Sequence, residues 1–157
     1  MSTYQWLLAL HVSGAFLLLG GGVLAATFNV SALRSERPSE IALFLGLTRI
    51  AVVAVALGAL LTLVIGLWLV GDRDYSFSEV WVWLSLVLWV AAVWAGQTGG
   101  KRDRGTRHLA ERLSAETNIA TPELRARLRD PVSLSLSYGS GAALVVVLAL
   151  MIWKPGA

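Results

Sequence analysis

A chain of 157 residues that is 56% hydrophobic and only 15% charged, with a mean hydropathy of +0.67, is too apolar for a water-soluble domain of this size. The formal net charge is +3, and the absence of cysteine excludes disulfides, thiolate catalysis and cysteine-ligated metal or iron–sulfur sites. Charges also avoid four windows: residues 1–33 hold only the ionisable His11, and 50–71, 80–100 and 131–153 hold none, each long enough for ~30 Å of hydrocarbon at 1.5 Å per residue.

A strand or loop in lipid would leave backbone groups unpaired, so the pattern predicts an all-α fold. The expectation is a four-transmembrane-helix bundle in a single integral membrane domain, 1–157, with spans at about 4–28, 43–70, 80–98 and 132–153. The first run lacks a basic leader and exceeds the apolar core of a signal peptide, which predicts a retained helix. It contains His11, and at 100° per residue Gly14, Leu18, Gly21, Gly22, Ala25 and Asn29 share its face. That is the small-residue side, which predicts a histidine turned toward protein. A charged imidazolium would be costly there, so a neutral ring with one donor and one acceptor is expected. Two roles stay open: a hydrogen bond to another helix, through Ser85 or a backbone carbonyl, or a ligand to haem.

The second run carries small residues at four-residue spacing, Ala42/Gly46, Ala54/Gly58 and Gly58/Thr62/Gly66, and ends at Gly71-Asp72. Arg49 stands at its start. Snorkelling to the headgroups explains it as one more basic anchor; a fixed cation for a haem propionate is the functional alternative. The third run has Ala92/Gly96/Gly100, and the fourth, opened by Asp130-Pro131, has Ser133/Ser137/Gly141. Gly14, Gly21, Gly22, Gly46, Gly58, Gly66, Gly96 and Gly141 are the expected packing positions, with faces left over for a second copy or another membrane protein.

Between the third and fourth runs, 99–131 is too short for a core and is interrupted by Gly99-Gly100 and Asn118. Leu109 and Leu113 share one helical face and Leu124 and Leu128 another, with Thr121-Pro122-Glu123 opening the second. Two short amphipathic helices on anionic inner-leaflet lipids are expected, presenting Arg104, Arg107, Arg125, Arg127 and Arg129; docking of a partner protein is the sharper alternative. With acids interspersed and no aromatic to stack on bases, no nucleic acid is expected as a partner.

Ten basic residues fall in the loops after the first and third runs, against Arg73 and Lys154 on the other side. That asymmetry predicts a cytoplasmic basic side with both termini outside. Trp6, Trp68, Trp81, Trp83 and Trp153, with Tyr4 and Tyr75, mark the opposite ends as an aromatic belt.

The LHVSGAFLLLGGG stretch, an arginine early in the second helix and the Trp153-Lys154-Pro155-Gly156 ending resemble a bacterial family of predicted four-helix integral membrane proteins of unknown function, over nearly the whole chain. That resemblance implies a multi-pass protein of the bacterial cytoplasmic (inner) membrane. More loosely, the first helix is similar to those of copper-resistance D-type proteins and of membrane protoporphyrinogen oxidases. In the latter, a histidine at the place of His11 binds b-type haem with a lysine from another helix; here Lys101 and Lys154 both lie outside the spans. Metal-spaced histidines, paired intramembrane acids and hydrolase triads are missing from the sequence, so no catalytic or metal residue is assigned. The leading expectation is a non-catalytic accessory or scaffold subunit of a larger or homo-oligomeric assembly, without a cofactor. A haem b oxidoreductase using His11 and Arg49 is the alternative, and a small oligomeric transporter the third.

Overall fold

The computed structural model describes residues 2–72 and 79–153, all helical apart from short connections. The helices are α1 (Thr3–Arg34), α2 (Pro38–Asp72), α3 (Val80–Glu116), α4 (Pro122–Leu128) and α5 (Pro131–Trp153). Four are long and apolar enough to cross a membrane: α1, α2, α3, and α5 together with the short helix before it. Arg73, Tyr75 and Lys154 lie outside the described residues.

The long helices run up and down in antiparallel order. Packing is uneven: α1 lies along α2, α3 along α5, α2 joins the two pairs, and α1 barely touches α5. The α1–α2 crossing is made by glycine. A Cβ at Gly58 would stand 2.7 Å from the Gly14 carbonyl oxygen, and one at Gly21 would stand 3.0 Å from that of Ala51. In lipid no hydrophobic force drives helices together, so such close backbone approach supplies the packing. Midway along the bundle, Leu18, Ala59, Ala92 and Leu144, one from each long helix, form a buried cluster.

Gly99-Gly100 does not interrupt α3, which corrects the expected break after residue 98. The pair is a packing surface: a Cβ at Gly99 would meet the Ser137 hydroxyl of α5 at 2.8 Å. With no proline nearby the helix continues for four more turns. Leu109 and Ala110 on this extension join Ala32 of α1, Ile41 and Leu45 of α2, and Leu124 of α4 in a second buried cluster. The expected pair of helices lying on a lipid surface is therefore corrected as well. One is the end of α3, the other is α4, and their apolar sides are covered by protein because the ends of α1 and α2 offer an apolar surface to cover them.

Caps fix this end of the bundle. Thr121 Oγ1 accepts from Leu124 N–H at 3.3 Å at the start of α4, and Asp130 accepts from the Val132 and Ser133 N–H groups at 3.3 Å at the start of α5. Asn118, at φ 52°, reaches across to accept from Ser39 N–H in the first turn of α2 at 3.1 Å. Replacing Asn118 with alanine removes an acceptor for an otherwise orphaned helix N–H, and also strains the left-handed backbone. A loss of about 1–2 kcal/mol is expected from chemical or thermal unfolding in detergent; Asn118→Gly should recover only the backbone part.

Asp103 faces the start of α5, where the Ser133 hydroxyl donates to it at 3.0 Å. Burial pushes its carboxyl above the usual carboxylate range, with the Ser133 bond opposing. Asp130 is shifted the other way, chiefly by the Arg102 guanidinium at 2.6 Å. A raised folded pKa gives stability that is complete below the unfolded carboxylate pKa and lost as pH rises through the folded value; for Asp130 it is lost as pH falls through the lowered one. Asp103→Asn should therefore melt above the wild type near pH 8 and converge with it near pH 4. A variant less stable at the higher pH would contradict the assignment.

Candidate functional site

Beyond the mid-bundle cluster, toward the end that holds the N-terminus of α1, the helices line a half-open cavity of about 280 Å³. Its α1 wall is Tyr4, Leu8 and His11, and its α2 wall runs from Thr62 to Val70. From α3 come Trp81, Ser85 and Trp89; Val147 and Met151 of α5 complete it. Helix periodicity explains the set, since 85 and 89, 62 and 66, and 147 and 151 each lie one turn apart on one face.

His11 is seated by glycine. Its ring lies against α2 at Gly66, where a Cβ would stand 2.9 Å from Cε1 and 3.3 Å from Nδ1. The buried side of α1 here is Leu7, Gly14, Leu18 and Gly21, so His11 is turned toward protein on the small-residue side of the helix. The Thr62 backbone lies close to the ring, yet Nδ1 makes no hydrogen bond of normal geometry. The anticipated bond to Ser85 is not formed either: Ser85 Oγ has no partner of its own.

Six buried side-chain nitrogen or oxygen atoms among the described residues have no hydrogen-bond partner. Four of them, His11 Nδ1, Thr62 Oγ1, Ser85 Oγ and Trp89 Nε1, belong to residues around this one cavity. A buried polar atom left unpaired costs about 1–3 kcal/mol, and four of them cluster around this one cavity. No Asp, Glu, Lys or Arg lines the cavity among the described residues.

Trp81 corrects the aromatic belt. Only 6% exposed, it sits inside against Val70 and Val82, and its indole N–H donates to Glu79. Trp6, Trp68, Trp83 and Trp153 are exposed, as a belt requires. The cavity itself could not be read from the sequence; the signal that pointed toward it was a histidine on the same side as glycines.

Arg49 is exposed and far from His11. Thirteen residues, ~20 Å along α2, separate it from Thr62, the lining residue of that helix nearest to it. A haem held by His11 would have its propionates out of reach of Arg49. Met151 shares the cavity with His11, and no lysine or arginine lines it among the described residues. No group of three or more metal-ligating side chains is found among the described residues.

Of the glycines expected at helix contacts, Gly14, Gly21, Gly58, Gly66 and Gly96 each face a neighbouring helix closely; Gly96 meets Ser140, whose hydroxyl donates to the Ala92 carbonyl at 2.8 Å. Gly22, Gly46 and Gly141 meet nothing within 4 Å. The basic end divides similarly. Arg107 is largely covered beside Glu111 and Arg127 pairs with Glu123 at 2.8 Å, while Arg104, Arg125 and Arg129 are exposed.

One family model matches the chain over residues 5–155, with the description "Predicted integral membrane protein (DUF2269)". No curated protein and no solved structure matches it.

Proposed function

Because the chain belongs to the DUF2269 family of predicted integral membrane proteins, we propose that it is a non-catalytic helical bundle of the bacterial cytoplasmic membrane, an accessory or scaffold subunit of a larger or homo-oligomeric assembly. One observation carries the reading: Gly20 and Gly22 on α1, Gly46 on α2, and Gly139 and Gly141 on α5 face open space. A glycine inside a helix costs about 1 kcal/mol relative to alanine, and in lipid its return is close approach by another helix. A second copy or another membrane protein is the occupant that these faces suit. An oligomeric transporter has weaker support, since α1, α2, α3 and α5 run unbroken and the charge-free windows contain no acid.

In this reading the α4 end is cytoplasmic, where Arg104, Arg125 and Arg129 meet anionic lipids of the inner leaflet, and both termini are outside. The chain has no native cysteine, so single cysteines test both parts. Position 2 should react with an impermeant reagent on intact cells and position 115 should not; the reverse would overturn the orientation. Gly141→Cys should cross-link to itself or to a stoichiometric partner in native membranes, unlike Val87→Cys on an exposed stretch of α3 that carries none of these glycines. A monomer with no cross-link at either position would refute the subunit role.

A further inference from the structure

The open glycine faces do not account for the cavity, which lies within a single chain. We propose that it is a binding site for a neutral, largely apolar molecule bearing a carbonyl acceptor, drawn from the membrane. The composition of the wall sets each part of that description. Apart from a few polar groups, the lining is aliphatic and aromatic, so the body of the molecule is apolar. With no charged side chain among the described lining residues, an ionised ligand would enter without a counter-charge; the molecule is therefore neutral.

The unpaired groups define its polar end. An indole N–H can only donate and a serine hydroxyl can donate, so Trp89 Nε1 and Ser85 Oγ, one turn apart on α3 and both covered in this structure, pair with an acceptor oxygen once their side chains turn toward the cavity. Ser85 is 4% exposed and its hydroxyl can turn about χ1 between staggered positions toward the cavity. His11 on the opposite wall offers either a donor or an acceptor, according to its tautomer. Two sources share this chemistry: the head group of a lipid-soluble quinone and the ester carbonyl of a glycerolipid. Water alone would satisfy the same groups but would gain nothing from the apolar wall.

The test uses the full chain in detergent micelles with three probes: a decyl-substituted benzoquinone, monooleoylglycerol and dodecyl phosphate. Saturable binding and thermal stabilisation are expected with the benzoquinone or the acylglycerol, whichever source is right, and not with the phosphate. Ser85→Ala and Trp89→Phe each remove one donor while keeping the wall, and each should raise the Kd about fivefold. Ser85→Ala should also leave the ligand-free protein at least as stable, because a buried unpaired hydroxyl is lost. That combination separates a binding role from a packing one. Failure of both neutral probes, equal binding of dodecyl phosphate, a Kd indifferent to both substitutions, or a Soret band in the purified protein would each overturn the proposal.

Discussion

Gly58→Ala should be the most damaging single-methyl addition in the bundle. The new Cβ would stand 2.5 Å from the Leu18 nitrogen, 2.7 Å from the Gly14 oxygen and 3.0 Å from the Leu17 carbonyl carbon, all backbone atoms. None of them can rotate aside, so α1 and α2 must part along their crossing. Overpacking usually costs 1–3 kcal/mol, and with backbone as the obstacle a loss of about 3 kcal/mol is expected. Gly46→Ala is the matched control for the single chain in detergent, since nothing within the chain lies within 4 Å of that position and alanine there removes a helix penalty. It should melt at or slightly above the wild type. Gly66→Ala should fall between them, because the atom it meets belongs to the movable His11 side chain. Equal melting of the variants at 58 and 46 in detergent would show that the crossing is not held by backbone contact.

Leu124→Ala is expected to cost a comparable amount, about 2–4 kcal/mol, but in a different place. Leu124 is fully buried between the ends of α2 and α3, the main anchor of a helix only seven residues long. An isolated helix of that length is unstable in water, so without its anchor α4 should unfold locally while the apolar spans persist. Limited trypsin digestion reads this directly: cleavage after Arg125, Arg127 and Arg129 should accelerate strongly, with helix content by circular dichroism little changed. A variant as resistant as the wild type would mean that Ile41, Leu45 and Leu109 do not depend on Leu124 for cover.

Features imposed by the solvent were legible in the sequence; those that depend on which surfaces meet were not. Four uncharged runs of span length leave the backbone no alternative to helix, so the architecture follows from where Arg34, Arg73 and Lys101 stop the windows. The side of α1 that carries His11 follows from a 100° rotation per residue. Periodicity names a face, however, and not its occupant: Gly21 and Gly22 are neighbours in sequence, yet one touches Val55 and the other faces open space. Gly99-Gly100 reads as punctuation in one dimension and becomes a seat for Ser137 in three. Trp81 shares a composition with its neighbour Trp83, and only the packing of α3 on α2 sends one inward and the other out. The cavity, drawn from α1, α2, α3 and α5, had no local signal at all beyond a lone histidine among small residues.

The mid-bundle contact of Leu18, Ala59, Ala92 and Leu144 has a consequence for exchange. These side chains lie about one turn beyond Thr62, Trp89 and Val147, so on the side away from the α1 N-terminus the cavity ends on packed protein. A molecule bound there as proposed would find no passage through the middle of the bundle. Around it α1 and α5 meet at few points, while the α1–α2 crossing is locked by its glycines.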